Sequence, residues 1–385
     1  MNQETQAIRI QAERSQYKEH SVPLYLTSSY AFDDAEEMRA LFAEEKDGNI
    51  YSRYSNPNVQ ELIDKMCALE KSEDGWATAS GMAAVYTVFA SLLSAGDHIV
   101  SCRSVFGSTH RLLTEFLPRW NITSTYVDFD QYDVYAQAIQ ENTKLVYIET
   151  PSNPGLDIID IENLATICKK KNVLLIVDNC FATPIIQQPI SFGADIVIHS
   201  ATKYIDGQGR TLGGIILSTK EIINKVEAFA KQTGPCLSPF NAWVLSKSIE
   251  LLPLRMERHS SNALSIAKKL EENNHVKWVK YPHLKSHPQY EIAKKQMKWG
   301  GGIVTFEIEG GLQAGRNFLD KLQLFSLTAN LGDTRSIATH PASTTHSKLS
   351  SAQREEVGIS DGLIRLSIGL ESLEDIWKDV EQALK

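Results

Sequence analysis

Three polar side chains stand just beyond three short apolar runs. Leu145-Val-Tyr-Ile148 runs into Glu149-Thr-Pro-Ser-Asn153, Val173-Leu-Leu-Ile-Val177 ends in Asp178, and Asp195-Ile-Val-Ile198 leads through His199-Ser200-Ala201-Thr202 to Lys203. A lysine amine condenses with an aldehyde to a Schiff base. A carboxylate keeps a ring nitrogen protonated, because an opposite charge nearby favours the charged form. An amide can donate to a phenolic oxygen. Together these are the needs of pyridoxal 5'-phosphate, whose protonated ring is an electron sink. Lys203 is then the Schiff-base lysine, Asp178 the partner of the ring nitrogen and Asn153 the donor to the phenolic oxygen. Each residue alone has a plainer reading. A lysine after a strand is ordinarily solvated surface, and an aspartate there is ordinarily a helix cap or turn residue.

The elements that must position them follow from the pattern. The three runs are short, aliphatic and apolar on both faces, which suits the buried strands of a parallel sheet. The stretch from Ile161 to Asn172 is long enough for a crossover helix. Ligands of open α/β sheets bind at the carboxyl edge, so Asn153, Asp178 and Lys203 are expected to converge on one crevice.

Other stretches suggest an anion site. Ser80-Gly81-Met82 opens a helical segment running to Leu93, and backbone N–H groups at a helix start favour an anion. Ser200 and Thr202 add hydroxyl donors, although Ser80 is equally an ordinary N-cap. Tyr51-Ser-Arg53-Tyr54-Ser-Asn-Pro-Asn58 is loop chemistry before a helical segment, Val59 to Leu69. Its tyrosine and arginine could grip a phosphate; an exposed loop arginine is the plainer alternative. Arg365 interrupts the apolar strand Leu363-Ile-Arg-Leu366. A buried arginine needs a partner, either a substrate carboxylate held in two-pronged geometry or an internal salt bridge. The glycine-rich stretch Asp206 to Gly214 is not a dinucleotide fingerprint, since it leads into an apolar strand and not a helix.

At 385 residues the chain exceeds the usual single domain. The reading is an arm over 1–50, a first domain over 51–240 and a second over 241–385, with a long helix from Ser238 to about Met256 linking the two. A net charge of -8 without a basic patch argues against nucleic acid. No apolar run reaches membrane-spanning length, and the polar start lacks a signal peptide's apolar core. Five cysteines without a CxxC pair read as reduced thiols in a cytoplasm. No metal is expected; His340 and His346, in a Ser/Thr-rich loop, lack a convincing ligand set.

A resemblance gathers these stretches together. Tyr51-Ser-Arg-Tyr-Ser-Asn-Pro, Ser80-Gly-Met, Glu149-Thr-Pro-Ser-Asn-Pro, Val177-Asp-Asn, Ser200-Ala-Thr-Lys, Leu331-Gly-Asp, Thr339-His-Pro-Ala-Ser and Ile364-Arg-Leu-Ser-Ile-Gly occur in the order of the Cys/Met-metabolism branch of fold-type-I pyridoxal-phosphate enzymes. The resemblance covers nearly the whole chain. It implies an α/β fold with a mostly parallel central sheet flanked by helices and a smaller α+β C-terminal domain. It implies catalytic roles for Lys203, Phe106 and Asp178. Tyr51, Arg53, Ser80, Gly81, Met82, Phe106, Asn153, Asp178, Ser200, Thr202 and Lys203 would bind the cofactor, and Asn330, Leu331 and Arg365 the substrate. Tyr51 and Arg53 would reach the phosphate in a neighbouring subunit, within a homotetramer built as a dimer of dimers.

Three further stretches resemble the O-succinylhomoserine sulfhydrylases within that family: Ser104-Val-Phe-Gly-Ser-Thr, Tyr204-Ile-Asp-Gly-Gln-Gly-Arg and Leu237-Ser-Pro-Phe-Asn-Ala-Trp-Val. Many relatives carry a tyrosine where Phe106 stands; phenylalanine keeps the stacking and loses the acid. Ser108 replaces the cysteine that methionine γ-lyases tend to carry. Ala329 stands where cystathionine-cleaving members often have a glutamate. The implied reaction is γ-replacement, taking O-succinyl- or O-acetylhomoserine and sulfide to homocysteine in methionine biosynthesis. Cystathionine γ-synthase and methionine or cystathionine γ-lyase are the alternatives. A catalytically idle relative is disfavoured by intact Lys203, Asp178 and Arg365.

Overall fold

Apolar strands that bury both faces need helices on either side, and the chain provides them. The computed structural model describes residues 1–344, 354 and 358–385, so His346 lies outside the described residues. Seven strands form the main sheet: β1 (Asp74–Thr78), β2 (His98–Cys102), β3 (Thr123–Val127), β4 (Thr143–Glu149), β5 (Leu174–Asp178), β6 (Ile196–Ser200) and β7 (Gly214–Ser218). Their order is β1-β7-β6-β5-β4-β2-β3. The pairs from β6 through β3 are parallel, and β7 runs antiparallel to both its neighbours.

The three apolar runs become β4, β5 and β6, side by side. Register places Glu149 beside Asp178, and Asp178 beside Ile198. The helix Ile161–Lys171 carries the chain from β4 to β5. Asp160 caps it by accepting from the Asn163 N–H, and Asn172 ends it in the left-handed region.

A second sheet contains β8 (Val276–Lys280), β9 (Ile303–Ile308), β10 (Ser326–Leu327), β11 (Ile337–Thr339) and β12 (Leu363–Ser367). Its order is β10-β11-β12-β9-β8. It is antiparallel apart from the β10–β11 pair. The helices Gly311–Lys321 and Leu373–Leu384 bury Phe318, Leu319, Ile376 and Val380 in a core with Val304, Phe306, Ile364 and Leu366.

One element departs from expectation. The stretch 238–256 is not a single helix but two, Pro239–Ile249 and Leu252–Glu271. Pro253 is the reason. It lacks an N–H and clashes with a preceding helical turn, so it is tolerated in the first turn of a new helix and not inside a continuous one.

The chain's first residues pack on their own body. Ala7 of the helix Gln3–Arg9 is buried in the main core, and Gln3 Nε2 donates to the Pro184 carbonyl at 2.7 Å. Among the described residues, no helix is long and apolar enough to cross a membrane.

Candidate active site

The site forms where the carboxyl edge of the main sheet meets β12. Lys203 lies in the turn after β6. Its N–H donates to the Ser200 carbonyl at 3.1 Å, and its own carbonyl accepts from Gly207 at 2.8 Å. Buried Arg255 clamps the same turn, donating to the Tyr204 and Ile205 carbonyls at 2.6 and 3.1 Å. Gly332 rests on it with φ +76, and a Cβ there would lie 2.7 Å from the Tyr204 nitrogen. Any side chain at 332 would push Leu331-Gly332-Asp333 off the lysine turn.

Lys203 Nζ donates to Asn330 Oδ1 at 2.5 Å. Burial makes the amine less basic than an ordinary lysine; Cys180 opposes that change and Arg365 adds to it. A buried amine that sheds its proton more readily is suited to act as nucleophile and base.

Asp178 is the half-buried carboxyl at the end of β5. Its Oδ1 accepts from the Cys180 N–H at 2.9 Å and its Oδ2 from the Tyr147 hydroxyl at 3.4 Å. Burial raises its carboxyl above the ordinary range. Among the described residues it has no ion-pair partner, so it is suited to receive a cation.

Arg365, on β12, is buried. Its Nη1 donates to Asn153 Oδ1 at 2.9 Å, and its Nη2 to the Asn330 carbonyl and Thr339 Oγ1, both at 3.2 Å. All three partners are neutral, so these contacts are not an internal salt bridge. Among the described residues its Nε is buried without a partner, and burial lowers the guanidinium to about 10. The site thus contains a desolvated cation matched to a carboxylate.

Ser80 is the N-cap of the helix Gly81–Leu92, its Oγ accepting from the Ala83 N–H at 3.1 Å. A Cβ on Gly81 would lie 2.7 Å from the Ser200 Cβ, so the glycine lets this helix start touch the end of β6. The N–H groups of a first turn have no partner within the helix. Met82 follows, its sulfur accepting from Thr109 Oγ1 at 3.7 Å. Thr202 Oγ1 accepts from the Gly213 N–H at 3.2 Å. This cup of small residues, hydroxyls and free N–H groups fits a phosphate.

Four other expected residues take the following places. Tyr51 and Arg53 lie in a separate loop, with the guanidinium 5.3 Å from the Tyr51 ring centre and 4.7 Å from that of Tyr54. Arg53 Nη1 also donates to the Lys231 carbonyl. Among the described residues, neither hydrogen-bonds to Ser80, Gly81, Met82, Ser200 or Thr202. Leu331 packs its side chain into the main core. Phe106 is 48% exposed, while its N–H donates to Glu149 Oε1 at 2.8 Å.

Glu149, Arg255 and Thr339 were not singled out by residue type. A signal for Glu149 was present, since it ends its apolar run as Asp178 ends the next. Burial raises the Glu149 carboxyl to about 8, the Asp178 charge adding to the rise. His340 is satisfied within the fold, with its ring nitrogens on Ser343 Oγ and the Asp361 carbonyl, both at 2.8 Å.

A model of the Cys/Met metabolism PLP-dependent enzymes matches residues 4–385. The chain belongs to that family. Its cofactor is pyridoxal 5'-phosphate, which Lys203, the carboxylate of Asp178 and the cup around Gly81 are fitted to hold. Among relatives, the O-succinylhomoserine sulfhydrylase of Pseudomonas aeruginosa is 45% identical over 381 residues, covering 99% of this chain and 94% of its own. The L-methionine gamma-lyase of Fusobacterium nucleatum subsp. polymorphum is 42% identical over 384 residues, covering 99% and 97%. Among solved structures, a putative O-acetylhomoserine (thiol)-lyase (metY) from Campylobacter jejuni, determined with N'-pyridoxyl-lysine-5'-monophosphate, superposes with a TM-score of 0.95 at 34% identity, covering both chains fully. The metB structure from Corynebacterium glutamicum gives 0.94 at 36%, covering 100% of this family member and 98% of that chain.

Proposed function

We propose that the enzyme replaces the γ-acyloxy group of O-succinyl- or O-acetylhomoserine with sulfide, giving homocysteine and the free carboxylate. The observation that carries this reading is Phe106, an aromatic residue without a hydroxyl, whose N–H is held by Glu149 beside Asp178. A carboxylate leaving group has a conjugate acid of pKa about 4 and departs without a proton donor. A thiolate, with a conjugate acid near about 8.5, needs more help. The 45% identity to an O-succinylhomoserine sulfhydrylase supports the same choice. Phe106, Ser108 and Ala329 disfavour the lyase alternative.

Bound pyridoxal phosphate supplies the electron sink. Arg365, already oriented by Asn153 and Asn330, takes the substrate α-carboxylate in two-pronged contact. That contact brings Cα to Lys203, whose lowered basicity suits it to remove the α-proton and then move a proton at Cβ. With the γ-carboxylate gone, sulfide adds at Cγ and Lys203 returns the protons. Asp178 keeps the ring nitrogen charged throughout.

Beyond the helix Gln3–Arg9, which packs on its own body, the rest of the arm to residue 50 and the loop carrying Tyr51 and Arg53 serve a second copy of the chain, placing those two residues at its phosphate cup. Residues 51–240 bind the cofactor and 241–385 supply the substrate side. Two such dimers form a tetramer, working in the cytoplasm.

Product analysis tests the reaction. The cofactor-loaded enzyme receives O-succinylhomoserine with sulfide, with cysteine, or with no thiol. Homocysteine should dominate with sulfide. Cystathionine formed from cysteine, with little use of sulfide, would move the enzyme to the synthase. Rapid 2-oxobutyrate in all three would make it a lyase. Lys203→Ala should lose turnover by about 10²–10⁴-fold or more, together with the covalent bond to the cofactor.

A further inference from the structure

We propose that Glu149 is a positioning residue: its carboxyl ties the Phe106 backbone to the floor of the site at Asp178, and so sets where the Phe106 ring stands over the cofactor. The proposal rests on the cofactor site described above.

Phe106 has little else to fix it. It precedes a five-residue helix, Gly107–Arg111, and makes no side-chain cap. The residue is 48% exposed. Its backbone is held instead, by the N–H bond to Glu149 Oε1 at 2.8 Å and by the His110 N–H donating to its carbonyl at 2.9 Å. Glu149 is rigid where Phe106 is not. It ends a central strand, is 6% exposed and lies beside Asp178 in register.

The Tyr147 hydroxyl joins the two acids, 3.3 Å from Glu149 Oε1 and 3.4 Å from Asp178 Oδ2. It has one proton for two acceptors. A buried carboxyl kept for stability alone would be expected to face a cation; Glu149 faces Tyr147, Asp178, Cys102 and Cys180, with His199 acting on Asp178 from β6. Two neighbouring carboxyls, one buried and one half-buried, do not both ionise readily. The raised Glu149 carboxyl therefore retains its proton to higher pH, leaving Asp178 as the anion for the ring nitrogen.

The test uses the full-length protein, loaded with pyridoxal phosphate and stripped of it. Two readouts are taken: the dissociation constant for pyridoxal phosphate, and the circular dichroism of the bound cofactor's absorption band. Glu149→Leu removes the acceptor, Glu149→Gln keeps it, and Phe106→Ala removes the ring. Leucine should weaken cofactor binding about fivefold, as for one lost hydrogen bond, and alter the dichroic band. Glutamine should restore both. In the Phe106→Ala background, Glu149→Leu should cost nothing more, because its effect runs through the ring. If leucine does not pack, Glu149→Ser, too short to reach Phe106, takes its place in the same cycle. Wild-type readouts in the leucine or serine protein, or independent losses in the double variant, would overturn the role of Glu149. A wild-type protein that takes up no pyridoxal phosphate would overturn the cofactor site instead.

Discussion

Asn330 accepts a hydrogen bond from the Lys203 amine at 2.5 Å. Its carbonyl accepts from Arg365 at 3.2 Å. One residue of the loop before β11 therefore joins the amine that moves protons to the cation that takes the substrate carboxylate.

The first prediction tests that join. Asn330→Asp keeps an acceptor at Lys203 and adds an anion, which favours the charged amine. The acid limb of kcat/KM should move to higher pH. Asn330→Ala should lower kcat/KM without that displacement. A pH–rate profile for the aspartate variant that overlays the wild type would mean that Asn330 does not act on the amine.

Arg365→Met should separate activity from stability. Losing a charged hydrogen-bonding partner of the substrate costs about 1.5–3 kcal/mol, or roughly 10- to 150-fold in kcat/KM. The fold should hold or gain, because the variant removes a buried cation that meets no ionic partner among the described residues. Kinetics and thermal unfolding of the same preparation check both halves. Equal losses in both would make Arg365 structural.

The acid pair should leave a pH signature on the cofactor-free protein. Glu149 is raised from 4.5 to about 8 in the fold. A carboxyl raised on folding contributes stability that is fully present below its unfolded value and lost as pH rises through its folded value. The unfolding midpoint of the stripped protein should therefore fall as pH rises from about 4.5 toward about 8, and Glu149→Gln should flatten that decline. Calorimetry across the window measures it. A decline of the same slope in the glutamine variant would assign it to other groups.

Mixing experiments address Arg53. If it serves the neighbouring subunit, Arg53→Ala and Lys203→Ala homodimers should each be nearly inactive. Exchanging subunits between them should restore activity, since one site per hybrid then has both residues. No recovery after demonstrated exchange would place Arg53 outside the partner's site.

Chain-local patterns told a great deal here. Runs such as Val173–Val177 are apolar on both faces because parallel strands are covered on both sides, and polar residues follow where the strands surface. Lys203, Asp178, Asn153 and the helix start at Gly81 were legible for that reason. The two helices between 238 and 271 show the limit of such reading. Helical spacing continued across Pro253, but one missing N–H divided the segment.

What the sequence by itself determined was which residues reach the carboxyl edge of the sheet, and hence the cofactor chemistry. What only the tertiary structure decided was how residues far apart in the chain meet there. Arg365 lies 212 residues from Asn153, and Lys203 127 from Asn330. Glu149 meets Phe106 because β4 pairs with β2. Strand periodicity is a property of neighbours along the chain, whereas these contacts depend on which strands pair and how the second sheet docks on the first.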